Sequence, residues 1–502
     1  MESKTENRRV MRSRYCHLYE KDGLVSLYNS LFIDAIYGTE FLGSLLDRLE
    51  RPAPILDVAS AYGERREAAA SLLQTLFEKR MVVDDYGVED EHLHALKERQ
   101  IASRQIRTLD LIVTVRCNFA CRYCYVKPGG QDRLLPLGDQ TMTPQAIKMA
   151  IDIFAELSAD TPGPKEIVLF GGEPTIRTDL CTLAFEYGDR RLKSQNLPIL
   201  RVLVTNGGVS LDDGFLDFLA RNEVFVIVSL DGRPDVHNQA RRSVDDNGTF
   251  AQVLTTYRRI KRAGCRTGIC VTVGRHNLEF FADDALQFVT ALQPDDLSTN
   301  ACLHRFGVET NPYRVDVEDY VVEFTNMVCK LRSKGWIPQQ IADCLEPFAN
   351  RTPKLSFCPA TGCKLVATPD GKIGFCEGFM FSEHHFFDAD VVGSPAFQET
   401  YEQWRSISTL DNPECLKCPA LAVCGGGCQY DVYCESGSIN TALDTYRCKQ
   451  NLSLLEWQIW DLHRISNRYP VNTFDVVSPD PNAWALTTSP LRDDKQLKPS
   501  WR

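Results

Sequence analysis

Val115–Val126 read VRCNFACRYCYV, a run that sets Cys117, Cys121 and Cys124 at C-x3-C-x2-C spacing directly after the apolar segment Leu111–Val115. Three thiolates so spaced can hold three irons of a four-iron cluster and leave the fourth open to a small ligand. An ordinary electron-transfer cluster takes a fourth cysteine instead. The preceding strand-like segment puts this loop at the carboxyl end of a parallel strand, where barrel folds carry their chemistry. A zinc knuckle is the competing reading of the same cysteines.

Working outward, apolar strand-like runs alternate with amphipathic helical stretches from Leu109 to Phe306, which predicts repeated β-α units around a parallel sheet. The predicted strands are Leu111–Val115, Ile167–Phe170, Leu200–Val204, Val224–Leu230, Gly268–Val273 and Leu297–His304. Thr143 followed by Pro144 predicts a helix start, continued by one apolar face through Ala146, Ile147, Ala150, Ile151, Phe154 and Leu157. Six strands rather than eight predict an α/β fold with a partial barrel, open on one side to a large substrate.

The chain of 502 residues has room for roughly two to four domains. No apolar run approaches membrane-spanning length and Met1–Tyr15 lacks a signal peptide's apolar stretch, so a cytoplasmic address with no membrane partner is expected. In that reducing compartment 19 cysteines make a metal-binding set rather than a disulfide framework. A net charge of −11 argues against a nucleic-acid partner.

The strand ends carry further motifs. Gly171-Gly172-Glu173-Pro174 follows the second strand, Thr205-Asn206-Gly207-Gly208 ends the third, and Ser229-Leu230-Asp231-Gly232 ends the fourth. Paired glycines let a backbone approach a ligand closely. With the cysteine loop and Tyr123 these segments resemble the GGEP, TNG and SLDG motifs of the radical S-adenosylmethionine (SAM) superfamily. The resemblance implies a (β/α)6 core and a SAM-binding [4Fe-4S] cluster on Cys117, Cys121 and Cys124. It also implies SAM contacts from Tyr123, Gly171, Gly172, Glu173, Pro174, Thr205, Asn206, Ser229 and Asp231. His237-Asn238-Gln239-Ala240-Arg241 resembles the segment whose arginine pairs with the SAM carboxylate, a bidentate role suited to Arg241.

Toward the carboxyl end, Cys358, Cys363 and Cys376 precede Cys415-x2-Cys418-x5-Cys424-x3-Cys428 and a final Cys448, with Gly371 in a turn ahead of Cys376. This order resembles the SPASM extension of peptide-modifying radical SAM enzymes. By analogy with anaerobic sulfatase-maturing enzymes, Cys358, Cys363, Cys376 and Cys428 would hold one auxiliary [4Fe-4S] cluster. Cys415, Cys418, Cys424 and Cys448 would hold another, giving three clusters in all; two zinc sites are the competing reading. Glu377 follows Cys376 where those enzymes place an acidic residue, implying a catalytic base, and burial beside a cluster predicts a raised pKa. Cys434 is extra to the pattern and is a candidate substitute ligand, and Cys302 is a candidate hydrogen donor if the chemistry is epimerisation.

The first hundred residues predict short strands at Leu24–Tyr28 and Leu31–Ile33, helices at Thr39–Leu49 and Arg65–Glu78, and a strand at Met81–Asp84. This layout resembles PqqD-like, winged-helix-like domains, which bind the leaders of ribosomally made peptides as an added strand on a sheet edge. The expected organisation is a flexible tail (1–14), a peptide-recognition domain (15–91), a linker (92–108), the partial barrel (109–310), a helical bridge (311–357), the SPASM domain (358–450) and a carboxyl-terminal helix and tail (451–502). The resemblance implies an oxidoreductase that cross-links a precursor peptide through a thioether, carbon–carbon or ether bond, served by a small electron donor such as flavodoxin or ferredoxin. Formylglycine formation, peptide epimerisation and a non-catalytic iron or redox sensor are the alternatives.

Overall fold

The computed structural model describes residues 8–125, 141–193, 198–303, 311–380, 385–439, 442–466 and 477. Six short strands open the chain: β1 (Arg9–Arg12), β2 (Cys16–Lys21), β3 (Leu24–Asn29), β4 (Asp34–Thr39), β5 (Ala53–Pro54) and β6 (Val82–Val83). β2, β3 and β4 form an antiparallel sheet, and β1 pairs with both β5 and β6. Side chains alternate across the larger sheet as a strand requires. Val25, Leu27 and Ile36 pack with the helix Arg66–Glu78, while Tyr28, Ala35 and Tyr37 join the main core.

The expected tail is therefore structured from Arg9 onward, because β1 supplies the strand that closes this small unit. Leu31–Ile33 is not a strand either. Asn29 Oδ1 accepts the N–H of Leu31 (3.0 Å) and Phe32 (3.2 Å), bending the chain into an Asx-type turn before β4. The expected linker is also helical, since Gly87–Ser103 forms one continuous helix. Its end is anchored by Arg104, which is 1% exposed and donates to the carbonyls of Arg405 (2.6 Å), Ile407 (2.5 Å) and Leu355 (2.9 Å). Gln100 adds a bond to Leu355 O at 2.6 Å.

Six parallel strands follow: β7 (Thr108–Thr114), β8 (Lys165–Gly171), β9 (Ile199–Thr205), β10 (Phe225–Ser229), β11 (Thr267–Val273) and β12 (Asp296–Ala301). They lie in chain order with helices between them, the arrangement of an open (β/α)6 barrel. Strands covered on both faces read as continuous apolar runs, which is why each predicted run is found. His304, the expected end of the sixth, lies outside the described residues. The helix Pro144–Leu157 starts where predicted, with Thr143 Oγ1 accepting Ala146 N–H and Ile147, Ala150, Ile151 and Phe154 buried.

β13 (Lys364–Ala367) extends the same sheet by pairing parallel with β7, and β14 (Lys372–Gly374) and β15 (Phe386–Asp388) add antiparallel strands beyond it. The carboxyl-terminal cysteine region is thus built onto the first barrel strand. The final helix, Thr445–Ser466, begins six residues before the expected start of the carboxyl-terminal helix and tail at residue 451 and carries Cys448. β4 lies against it: Tyr37 Oη donates to Ile459 O (2.5 Å), and Tyr37 exchanges backbone hydrogen bonds with Val477 (2.9 and 2.8 Å).

Candidate functional site

The loop holding Cys117, Cys121 and Cys124 crosses the carboxyl ends of the barrel strands. Its path explains the paired glycines. A Cβ on Gly171, whose φ is +136°, would stand 2.5 Å from Thr114 O, and one on Gly172 would stand 2.6 Å from Val115 O. Gly172 N–H donates to Thr114 O (2.8 Å) and Glu173 N–H to Arg116 O (2.8 Å), stitching the second motif to the cysteine loop. These glycines serve the approach of backbone to backbone. Burial pushes the Cys121 thiol up to about 12, with Arg241 opposing and Cys124, Asp231 and Cys117 reinforcing it, so the three cysteines lie as neighbours.

Glu173 is fully buried and inward-facing. Its carboxylate accepts Thr175 N–H (3.0 Å), Thr175 Oγ1 (2.5 Å), Thr205 Oγ1 (2.7 Å) and Asn206 N–H (2.6 Å). Burial raises its pKa against those bonds. Glu173 thus binds the ends of β8 and β9 together, and Pro174 begins the short 3-10 turn behind it. Asn206 Nδ2 reaches Cys117 Sγ (3.4 Å) and Asn118 Oδ1 (2.9 Å), placing the third motif directly on the cysteine loop.

On the far side, Tyr123 Oη donates to Asp231 Oδ2 and accepts from Arg241 Nη1 (2.5 Å). Asp231 also accepts Thr272 N–H at 3.0 Å and lies 3.7 Å from Arg241. Burial alone would push the Asp231 carboxyl up, but the Arg241 guanidinium, with His276 and His237, holds it well below the usual range. Ser229 ends β10, half-buried beside Cys270. Sequence reasoning missed His276: its side chain is 2% exposed, stacks on Tyr123 at 5.6 Å and brings Nε2 to 3.7 Å from Asp231. Its position three residues after β11 was the available signal. Cys302, just past β12, is buried near Gly274, whose added Cβ would meet both its sulfur (2.9 Å) and His276 Nδ1 (3.0 Å).

The auxiliary cysteines gather around the extension strands. Cys415, Cys418 and Cys424 are all neighbours of Cys448, whose thiol burial pushes up to about 12. Cys358, Cys376 and Cys428 form a second group. Cys363 is placed apart from it, between Arg107 and Arg104, with its sulfur 3.9 Å from Ser103 O. Cys434 stands beside Tyr430, Asp431, Glu435 and Arg314, and burial pushes it up to about 11.

Glu377 corrects a second expectation. Burial would raise its carboxyl, but the Lys364 ammonium, hydrogen-bonded to it at 2.5 Å, holds it below the usual value. Lys364 also contacts Asp110 Oδ2 at 3.0 Å, and burial, opposed by Lys364 and reinforced by Glu377, pushes Asp110 up to about 6. Glu377 is thus an ionised partner of Lys364. Tyr125 neighbours Glu377, Cys124 and Cys376, so it joins the two cysteine regions.

Among the described residues no three histidine, cysteine or acidic side chains converge tightly enough for a single metal ion. No helix among the described residues is long and apolar enough to cross a membrane.

Residues 111–289 match the family model of the Radical SAM superfamily. Over 451 residues the chain is 20% identical to the radical SAM cyclopropyl synthase TigE of Paramaledivibacter caminithermalis, covering 86% of this chain and 92% of that protein. It is 21% identical over 360 residues to the cysteine-type anaerobic sulfatase-maturating enzyme of Clostridium novyi, covering 68% and 92%. The fold is similar to native anSMEcpe solved with bound AdoMet and the Cp18Cys peptide, at a TM-score of 0.58 and 17% identity over 72% of this chain and 99% of that one.

Proposed function

The chain carries a radical SAM domain across residues 111–289, and from that premise we propose that it installs a cross-link in a ribosomally made precursor peptide by two-electron oxidation. The observation that carries this reading is the amino-terminal unit, residues 9–103, which is docked through Gln100 and Arg104 onto the auxiliary-cysteine region. The match to the cyclopropyl synthase covers 86% of the chain, and that to the sulfatase-maturating enzyme 68%. A PqqD-like unit gripping a leader peptide gives those residues a use. β4 already carries Val477 on its outer edge, so β2, the opposite edge among the described residues, is where a peptide strand would add.

SAM and a reduced [4Fe-4S] cluster, when bound, supply a 5′-deoxyadenosyl radical that takes hydrogen from an unactivated carbon. Cys117, Cys121 and Cys124, each half-buried, would hold that cluster. Arg241 and Asp231 present opposite charges through Tyr123 to the amino and carboxylate groups of the cofactor. Asn206 fixes the Cys117 side of the loop. Lys364 keeps Glu377 ionised as a proton acceptor for the peptide. Cys358, Cys363, Cys376 and Cys428, with Cys415, Cys418, Cys424 and Cys448, would hold auxiliary clusters, and a small flavodoxin- or ferredoxin-like protein would supply electrons. The net change in the peptide is loss of two hydrogens.

The likeness to the sulfatase-maturating enzyme supports the second reading, oxidation of cysteine or serine to formylglycine. One experiment separates them: mass spectrometry of a short peptide encoded beside the gene after anaerobic co-expression, with Cys117→Ala as control. A two-hydrogen loss absent from the control, with fragmentation locating a linkage between two residues, supports the cross-link. Loss of sulfur from a cysteine supports formylglycine, and unchanged mass rejects both for that peptide.

A further inference from the structure

The turn after β11 fixes its own backbone firmly and leaves the ring of His276 without a hydrogen bond. Asn277, 1% exposed, pins that turn. Its Nδ2 donates to Asp231 O (2.8 Å) and Thr272 O (2.9 Å), and its Oδ1 accepts Gly274 N–H (2.8 Å). Arg275 N–H adds a bond to Tyr313 O (3.0 Å). The imidazole is held by rings, stacked on Tyr123 at 5.6 Å and edge-on to Tyr313 at 5.8 Å. Neither of its nitrogens has a hydrogen-bond partner among the described residues, although its side chain is 2% exposed. Nε2 stands 3.7 Å from Asp231 Oδ2, beyond the roughly 2.7–3.2 Å of a hydrogen bond. A second donor in the same cluster is idle: Arg241 Nε is buried without a partner. Buried polar groups are nearly always paired, so two idle side chains around one carboxylate point to a ligand that rearranges them.

We propose that His276 is a positioning residue for SAM, taking over Asp231 when the carboxylate of the cofactor engages Arg241. The proposal rests on the reading above that Arg241 is the partner of that carboxylate. Arg241 Nη1 donates to Tyr123 Oη (2.5 Å) and lies 3.7 Å from Asp231 Oδ2. A bidentate grip on a carboxylate needs two guanidinium donors, and Nε is free to be one of them. As the guanidinium turns to that task, Asp231 keeps Thr272 N–H (3.0 Å) and the Tyr123 hydroxyl but loses its cation. A neutral imidazole carrying its proton on Nε2 closes the gap by moving roughly 0.7 Å, and donates to Oδ2. No proton changes hands, and Asp231 stays ionised. Without that donor the buried carboxylate would compete with SAM for Arg241.

The test uses the full chain with its clusters reconstituted anaerobically. SAM affinity is measured by calorimetry, and the change that SAM makes in the electron paramagnetic resonance spectrum of the reduced protein is titrated alongside it. His276→Leu is expected to weaken SAM binding by about tenfold or more, the loss of one hydrogen bond to a charged group. Its iron content should match the parent's, and its unfolding midpoint without SAM should equal or exceed the parent's, because leucine replaces an unpaired ring. His276→Gln, which keeps an N–H donor, should bind SAM within about threefold of the parent. Parent-like affinity in His276→Leu overturns the proposal, and so does a glutamine variant that binds no better than the leucine one. A lower iron content or SAM-free midpoint in both variants also overturns it, since the ring would then be structural. A loaded parent protein that binds no SAM overturns the radical SAM reading itself, an outcome distinct from a parent that binds and a variant that binds equally.

Discussion

Arg241 donates a 2.5 Å hydrogen bond to the hydroxyl of Tyr123, so the end of the helix Pro234–Ala240 is fixed to the residue between Cys121 and Cys124. The pair also neutralises Asp231, which is 1% exposed. Removing one partner of a buried ion pair costs about 3–5 kcal/mol, because the other charge is left unpaired. Arg241→Gln is therefore expected to lower the denaturant midpoint of the metal-free chain and to weaken SAM binding by calorimetry. Full retention of both would show that Asp231 finds another partner.

Gly172 marks the tightest crossing of motif and loop. A methyl group there would stand 2.6 Å from Val115 O and closer still to Arg116 O. Both obstacles are backbone, and overpacking of this kind costs about 1–3 kcal/mol or more. Gly172→Ala should fold with reduced stability and reconstitute with less iron than the parent, read by iron analysis and absorbance. Normal iron content would mean that the loop can shift.

Two histidines give the chain a sign-determined acid response. Burial lowers His237 to about 3 against the opposing pull of Asp231, and burial together with Arg12 lowers His17 to about 4. A group whose folded pKa is depressed contributes stability above its unfolded value, near 6.5, and loses it as pH falls toward the folded value. Stability should fall from pH 6.5 down to about pH 3, with His237 accounting for up to about 5 kcal/mol. His237→Gln should flatten that slope in unfolding curves recorded at successive pH values. An unchanged slope would rule out His237 as its source.

Arg104 predicts a coupling defect. Arg104→Met would strand the carbonyls of Arg405 and Ile407, at about 1–3 kcal/mol for each that stays buried and unpaired, while Leu355 O keeps its bond from Gln100. Limited proteolysis should then cut near residue 104 in the variant and spare the parent. Equal resistance would show that the small core of Tyr15, Leu31, Leu96, Leu410 and Leu421 suffices.

The barrel strands were legible because parallel strands buried on both faces are written as unbroken apolar runs. Their amino ends were not, since Thr108, Lys165 and Asp296 pair within the sheet despite being polar. The helix Gly87–Ser103 hid for a similar reason: its buried set includes Glu89 and Gln100, whose burial depends on partners elsewhere in the chain. The cysteine loop and its strand-end motifs were readable from spacing, whereas the bonds that Thr175, Thr205 and Asn206 make to Glu173 exist only once the ends of β8 and β9 meet. Glu377 was misjudged because Lys364 meets it only after the β13–β14 hairpin folds, and Asp110 arrives from the first barrel strand.

The helix Gly87–Ser103 and the Arg104 that follows it tie the amino-terminal sheet to the cysteine region. If a peptide is gripped on that sheet, the molecule works as a ruler. The number of residues between the gripped segment and the radical site, rather than the sequence around the reacting residue, would decide which side chain is altered. Lengthening or shortening that spacer in the substrate would move the modification along the peptide instead of abolishing it.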